Sequence, residues 1–228
     1  MRLPGTAALR LTDTHRLIPA KYSDDGASVL ARIADNDAHL QDIFDLDHAT
    51  NDRLARENDL LPGIGRDELL AGSIPHFRIV NAAFCHAHPL GGRFNGPDRG
   101  AWYAGFAVET SLAEVMHHRR LDYLEIGWDQ PDLATYADFL ANFDAEFHDI
   151  RGDAEFAPCL DPDSHRASQA LAEALLDAGS AGIVYPSARR PGDCLACFRP
   201  ALVNNVRKGQ GWALRWDGQE FAPAEPAV

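Results

Sequence analysis

The chain has 228 residues, 46% of them apolar and 24% charged, and its 21 basic and 34 acidic side chains leave a net charge of −13. This is the composition of an ordinary globular protein, most simply one domain, with no run of 18 apolar residues to cross a membrane and no apolar segment behind the first residues to act as a signal peptide, so a cytoplasmic location is expected. The acidic balance argues against a nucleic-acid partner, since Lys and Arg supply most phosphate affinity, and four cysteines in so long a chain exclude a disulfide framework and read as reduced thiols.

Residues 1–72 read as a helical N-terminal lead-in packed on a core formed by residues 73–228. Residues 11–22 carry a short apolar patch closed by Pro19 and read as a strand or extended arm. Behind an acidic cap at Ser23, Asp24 and Asp25, Val29, Leu30, Ile33, Leu40, Ile43 and Phe44 recur at helical intervals to about residue 46. A weaker helix over residues 49–60 would stop at Leu61-Pro62-Gly63. Residues 76–80 and 101–105 read as short strands joined by a Gly- and Pro-rich connection. Residues 107–120 read as a helix with an apolar stripe of Val108, Leu112, Val115 and Met116, and residues 123–128 as a strand.

The clearest β signal follows: Phe139, Ala141, Phe143, Ala145 and Phe147 alternate with Leu140, Asn142, Asp144 and Glu146. Asp163 and Ser164 can cap a helix whose stripe includes Leu171, Ala174, Leu175 and Ala178 and which stops at Gly179. Gly182–Pro186 reads as a strand, 187–192 as a turn and 195–203 as strand-like pieces broken by Pro200. Trp212, Leu214 and Trp216 alternate towards a hairpin at Asp217-Gly218, and 222–228 should fray. Strands outnumber the helices that could cross between them, so the fold class is α+β with a mixed, mostly antiparallel sheet and flanking helices.

Residues 76–120 differ from the rest. They hold five arginines against three carboxylates, and five of the ten histidines. A positive island in an acidic protein suggests an anionic small molecule. Gly91-Gly92-Arg93 sets a guanidinium after two glycines, a combination suited to a pyrophosphate, and Arg78 could add a second fork from a neighbouring strand. Both could equally be surface arginines beside a hairpin. Trp102 and Tyr103 must point to opposite faces of a strand, one to the core and the other free to stack on a flat ring.

Glu109 and Glu114 lie about 140° apart around a helix and cannot form a carboxylate pair. Glu114 falls nearly opposite the apolar stripe, so it is solvated unless that side lines a cleft. Ser187 ends a strand just before Arg189 and Arg190, where a hydroxyl and cations can converge, although no Gly-x-Ser-x-Gly surrounds it. His86-x-His88 and His117-His118 do not make a metal motif, and Cys194-x-x-Cys197 lacks a second pair at zinc spacing. No metal is expected. Walker A and GxGxxG patterns are absent from the sequence.

HFRIV, GGRFNGPDRGAWYAGFAVETSLAEV and YPSARRPGDCLACF together resemble the RES-domain family, over roughly residues 73–203. The resemblance implies a fold similar to ADP-ribosyltransferase toxins and an enzyme that uses NAD as substrate, without metal. It implies the toxin of a toxin–antitoxin system, held by a helix-turn-helix (Xre-like) antitoxin that covers the active site. Residue by residue it makes Arg78 and Arg93 the arginines that hold NAD, Tyr103 the stacking tyrosine, Glu114 the catalytic glutamate and Ser187 the serine that orients the substrate. Family members differ in what accepts ADP-ribose: a cellular protein, water or phosphate. ADP-ribosylation of a protein is the first expectation here, and NAD glycohydrolase or phosphorylase activity the alternative. A non-catalytic NAD-binding module and a homodimer stay open.

Overall fold

The structure is a computed structural model, and it describes residues 2–23, 60–71 and 73–227. Its elements are β1 (Thr6–Pro19), α1 (Phe77–Cys85), β2 (Trp102–Gly105), α2 (Val108–Glu125), β3 (Asp132–Asp149), α3 (Arg166–Asp177), β4 (Gly182–Pro186), β5 (Asp193–Cys197), β6 (Asn204–Trp216) and β7 (Glu225–Pro226), with short 3-10 turns between them. The two helices expected over 23–46 and 49–60 lie, apart from their end residues Ser23 and Leu60, outside the described residues.

All the strands join one sheet, and β1 pairs with both β2 and β3. The pairing β1–β2–β5–β4–β3 therefore returns to β1 and closes a ring, antiparallel throughout except where His148 and Asp149 of β3 run parallel to β4. β6 and β7 extend the sheet beyond β3. One face of every ring strand packs into a single cluster: Leu9, Leu11, Trp102, Phe139, Phe143, Phe147, Val184 and Leu195, joined by Ile79, Val80 and Phe84 of α1. Each buried phenylalanine contributes on the order of 1.5–3 kcal/mol. The other face of β2, β4 and β5 packs with α3 through Tyr185, Ile183, Ala196, Leu171 and Leu175.

Four sequence expectations are corrected here. The helical description of residues 1–72 does not hold for Thr6–Pro19, which is an integral strand of the ring. Residues 76–80 are not a strand, because Ile79, Val80, Ala83 and Phe84 share one buried helical face. Residues 123–128 are the end of α2 and its cap: Gly127 takes φ 65°, the Gly127 N–H donates to Leu124 O (3.3 Å) and the Trp128 N–H to Tyr123 O (2.8 Å). That pair of bonds is a Schellman stop. α3 ends the same way at Gly179, with bonds to Leu176 O and Leu175 O, as the sequence suggests. Residues 225–226 pair with Trp212 and Ala213 instead of fraying.

A bulge shapes β1. Leu11 faces Phe143 and Thr14 faces Ala141, so one extra residue is absorbed between them. Asp13 sits there at φ 59°, and its N–H donates to Asn142 Oδ1 (3.1 Å). The bulge changes which side chains turn inwards. Before it Leu9 and Leu11 enter the ring, and after it Thr14, Arg16 and Ile18 do.

Candidate active site

α2 is pinned at its start. Ser111 Oγ accepts the Gly105 N–H (2.9 Å) and donates to His15 O (2.7 Å), tying the helix to β2 and β1. Thr110 on the same turn is 1% exposed and lies under Gly192, where any added Cβ would come within 2.4 Å of its hydroxyl. The face of α2 opposite the apolar stripe is thus covered by the turn joining β4 to β5. That cover is what places Glu114.

Ser187 stands at the first position of this turn and donates its hydroxyl to Glu114 Oε1 at 2.5 Å. The turn closes on itself: the Ser187 N–H donates to Gly192 O (2.8 Å) and the Arg189 N–H to Ser187 Oγ (3.1 Å). The Arg189 guanidinium lies alongside, with Nε 4.0 Å from Glu114 Oε2, and its Nη2 donates to Pro162 O (3.0 Å). The Glu114 side chain is 24% exposed and that of Arg189 13%.

Arg93 belongs to the same neighbourhood. Its side chain is buried, and Nη1 donates to Cys159 O (3.1 Å) and Asp161 O (2.7 Å). Glu114 and Arg93 both act on His118, His165, Tyr185 and Cys194. Burial is the main cause of each shift: it lowers the pKa of His118 and His165 and raises those of Tyr185 and Cys194, the thiol being pushed up to about 12. Arg93 and Arg189 lower both histidines further, while Glu114 opposes them.

The glycines before Arg93 serve packing. A Cβ on Gly91, which has φ 72°, would meet Asn95 O at 2.2 Å, and one on Gly92 would meet Asn95 Oδ1 at 2.5 Å and Tyr103 Oη at 2.9 Å. Tyr103 lies behind this hairpin: its hydroxyl accepts the Phe94 N–H (2.8 Å) and donates to Asn95 Oδ1 (2.7 Å). As the strand pattern requires, Trp102 enters the ring and Tyr103 takes the opposite face. Burial raises the pKa of Tyr103, so its phenol stays protonated.

Of the five residues singled out from sequence, Glu114, Ser187, Arg93 and Tyr103 gather on one side of β2, β4 and β5. Arg78 does not join them. It is exposed on the first turn of α1, 5.7 Å from the Phe77 ring, on a helix packed into the ring cluster on the opposite face. The strand that was to carry Arg78 to the site is a helix, and a helix aims the side chain elsewhere.

One guanidinium turned into the ring escapes the sequence reading. Arg16 lies 4.9 Å over the Trp102 ring and its Nη1 donates to Tyr103 O (3.2 Å); burial lowers its pKa to about 10. The signal was an arginine inside an apolar strand, hidden because the bulge decides which way it points. Among the described residues no three His, Cys, Asp or Glu gather closely enough to hold a metal ion.

The chain matches none of the curated proteins. It is similar to a solved structure, the M. tuberculosis MbcT–MbcA toxin–antitoxin complex, at 14% identity and a TM-score of 0.46, covering 98% of this chain and 87% of that one. The sequence profile of the RES domain matches residues 71–217, which span α1 to β6 and hold both Glu114 and the serine bonded to it. With well over half its length inside that match, the chain belongs to the RES domain family.

Proposed function

We propose that the chain is the toxin of a toxin–antitoxin pair and that it consumes NAD, breaking the nicotinamide–ribose bond and passing ADP-ribose to a cellular protein. The observation that carries this reading is the hydrogen bond from Ser187 to Glu114, with two arginines beside it. Those groups suit a dinucleotide, which brings negative phosphates and a ribose that must bear positive charge. As the glycosidic bond breaks, its electron pair stays on the nicotinamide nitrogen and positive charge builds on the anomeric carbon. Glu114, which accepts the Ser187 hydroxyl and lies beside the Arg189 guanidinium, stabilises that charge. Ser187 fixes which way the carboxylate points, Arg93 holds the diphosphate and Tyr103 supports the Arg93 hairpin. The acceptor then adds to the anomeric carbon and loses a proton. An antitoxin of the helix-turn-helix type would silence the enzyme by covering this turn.

The test is direct. Purified protein mixed with labelled NAD and cell lysate should release nicotinamide and leave label on a discrete protein band; label on free ADP-ribose or its phosphate ester instead would assign the acceptor to water or phosphate. Glu114→Gln, similar in shape, should cut nicotinamide release by about a hundredfold or more with an unchanged thermal midpoint. Release at the wild-type rate in that variant would overturn the reading, as would no release from the wild type.

A further inference from the structure

Arg93 and Arg189 come from distant parts of the chain, yet they are braced on consecutive carbonyls: Arg93 donates to Asp161 O and Arg189 to Pro162 O. Two guanidiniums are thereby set side by side. Burial is the main cause that lowers the pKa of Arg189; Glu114 opposes it, and the field of Arg93 lowers it further. Like charges held together cost energy unless an anion is there to share them. Glu114 serves Arg189 only in part, since the 4.0 Å from Nε exceeds a hydrogen bond, and Nε is buried with no hydrogen-bond partner. A buried, unmatched N–H beside a carboxylate, on an arginine braced next to a second one, is a donor awaiting an acceptor.

We propose that Arg189 is the second arginine of the diphosphate site, acting with Arg93 in the place that sequence reasoning gave to Arg78. The proposal rests on the NAD reading above and names the residue that grips the second phosphate. The forked guanidinium suits two phosphate oxygens, which a lysine, as a point charge, cannot match.

Calorimetry with ADP-ribose and with AMP tests this on the full chain. Arg189→Lys keeps the charge beside Glu114 and should leave the thermal midpoint unchanged. It should weaken ADP-ribose about tenfold and AMP much less, and Arg189→Ala should weaken ADP-ribose about ten- to hundredfold. Arg190→Ala, exposed on the same turn, should bind as wild type. Wild-type affinity for ADP-ribose in Arg189→Lys, or equal losses for ADP-ribose and AMP, would overturn the clamp even where the wild type still releases nicotinamide. A wild-type chain that binds no ADP-ribose and releases no nicotinamide would overturn the NAD reading and the clamp together.

Discussion

Glu114 shows what a residue's own neighbourhood in sequence can and cannot reveal. Helical period alone sets it opposite the apolar stripe and so in solvent; a turn 73 residues further on covers that side and supplies its serine. No local pattern carries that contact, and only the family motifs named the pair. Another carboxylate escaped notice because it lies outside the motifs. Glu68 takes two hydrogen bonds from Arg99 (2.8 and 2.7 Å) and one from Arg199 (3.2 Å), fastening the stretch before α1 onto the core. The Arg99 bonds hold its pKa at about 2, below the ordinary 4.5. A carboxyl depressed in the folded state stabilises fully above its unfolded pKa, and that contribution falls away as pH drops through the folded one. Glu68→Gln should therefore lower the melting temperature at pH 7, and its gap to wild type should narrow below about pH 4.5 and close near pH 2. A gap independent of pH would show that the Arg99 contact contributes no charge-dependent stability.

At the scale of elements, the sequence disclosed those whose periodicity is long and unbroken. β3 shows its alternating phenylalanines and α3 its stripe and its glycine stop. α1 and the end of α2 misled because five or six residues with apolar side chains fit both a strand and a helix; which one forms depends on Phe139 and its neighbours for α1, and on Gly127 for α2. β4 poses a sharper requirement. Gly182 takes φ 148° where β4 meets β5, and a Cβ there would stand 2.2 Å from Ala196 O and 2.9 Å from Cys197 Cα. Backbone must move to admit it. Gly182→Ala is expected to cost about 3 kcal/mol or more, measurable by urea denaturation, and to reduce nicotinamide release because β4 leads into the turn that holds Ser187. A loss below about 1 kcal/mol would mean that the two strands can part there without harm.

For the molecule as a whole, the fold class was legible and its closure was not. The family match starts at residue 71, yet β1 lies before it, pairs along β3 from Thr6 to Pro19 and adds Leu9, Leu11 and Ile18 to the ring cluster. The bulge at Asp13 disguises β1 by breaking its alternation halfway, so only residues 11–22 read as a strand or extended arm and the first half passes unread. A chain starting at residue 60 should keep every residue of the family match and still fail to fold. Circular dichroism would show no cooperative melt in that fragment, whereas a sharp transition would make β1 dispensable.

Closure also bears on when activity can arise during synthesis. β1 leaves the ribosome before β3 and must wait for it, more than a hundred residues later; the turn that brings Ser187 to Glu114 emerges later still, and β5, which joins β2 to β4, follows it. A nascent or prematurely terminated polypeptide that stops short of residue 187 has no hydroxyl to set against the carboxylate and no fifth stave for its barrel. On the proposed reading, no activity can arise until β5 has been made and has closed the ring.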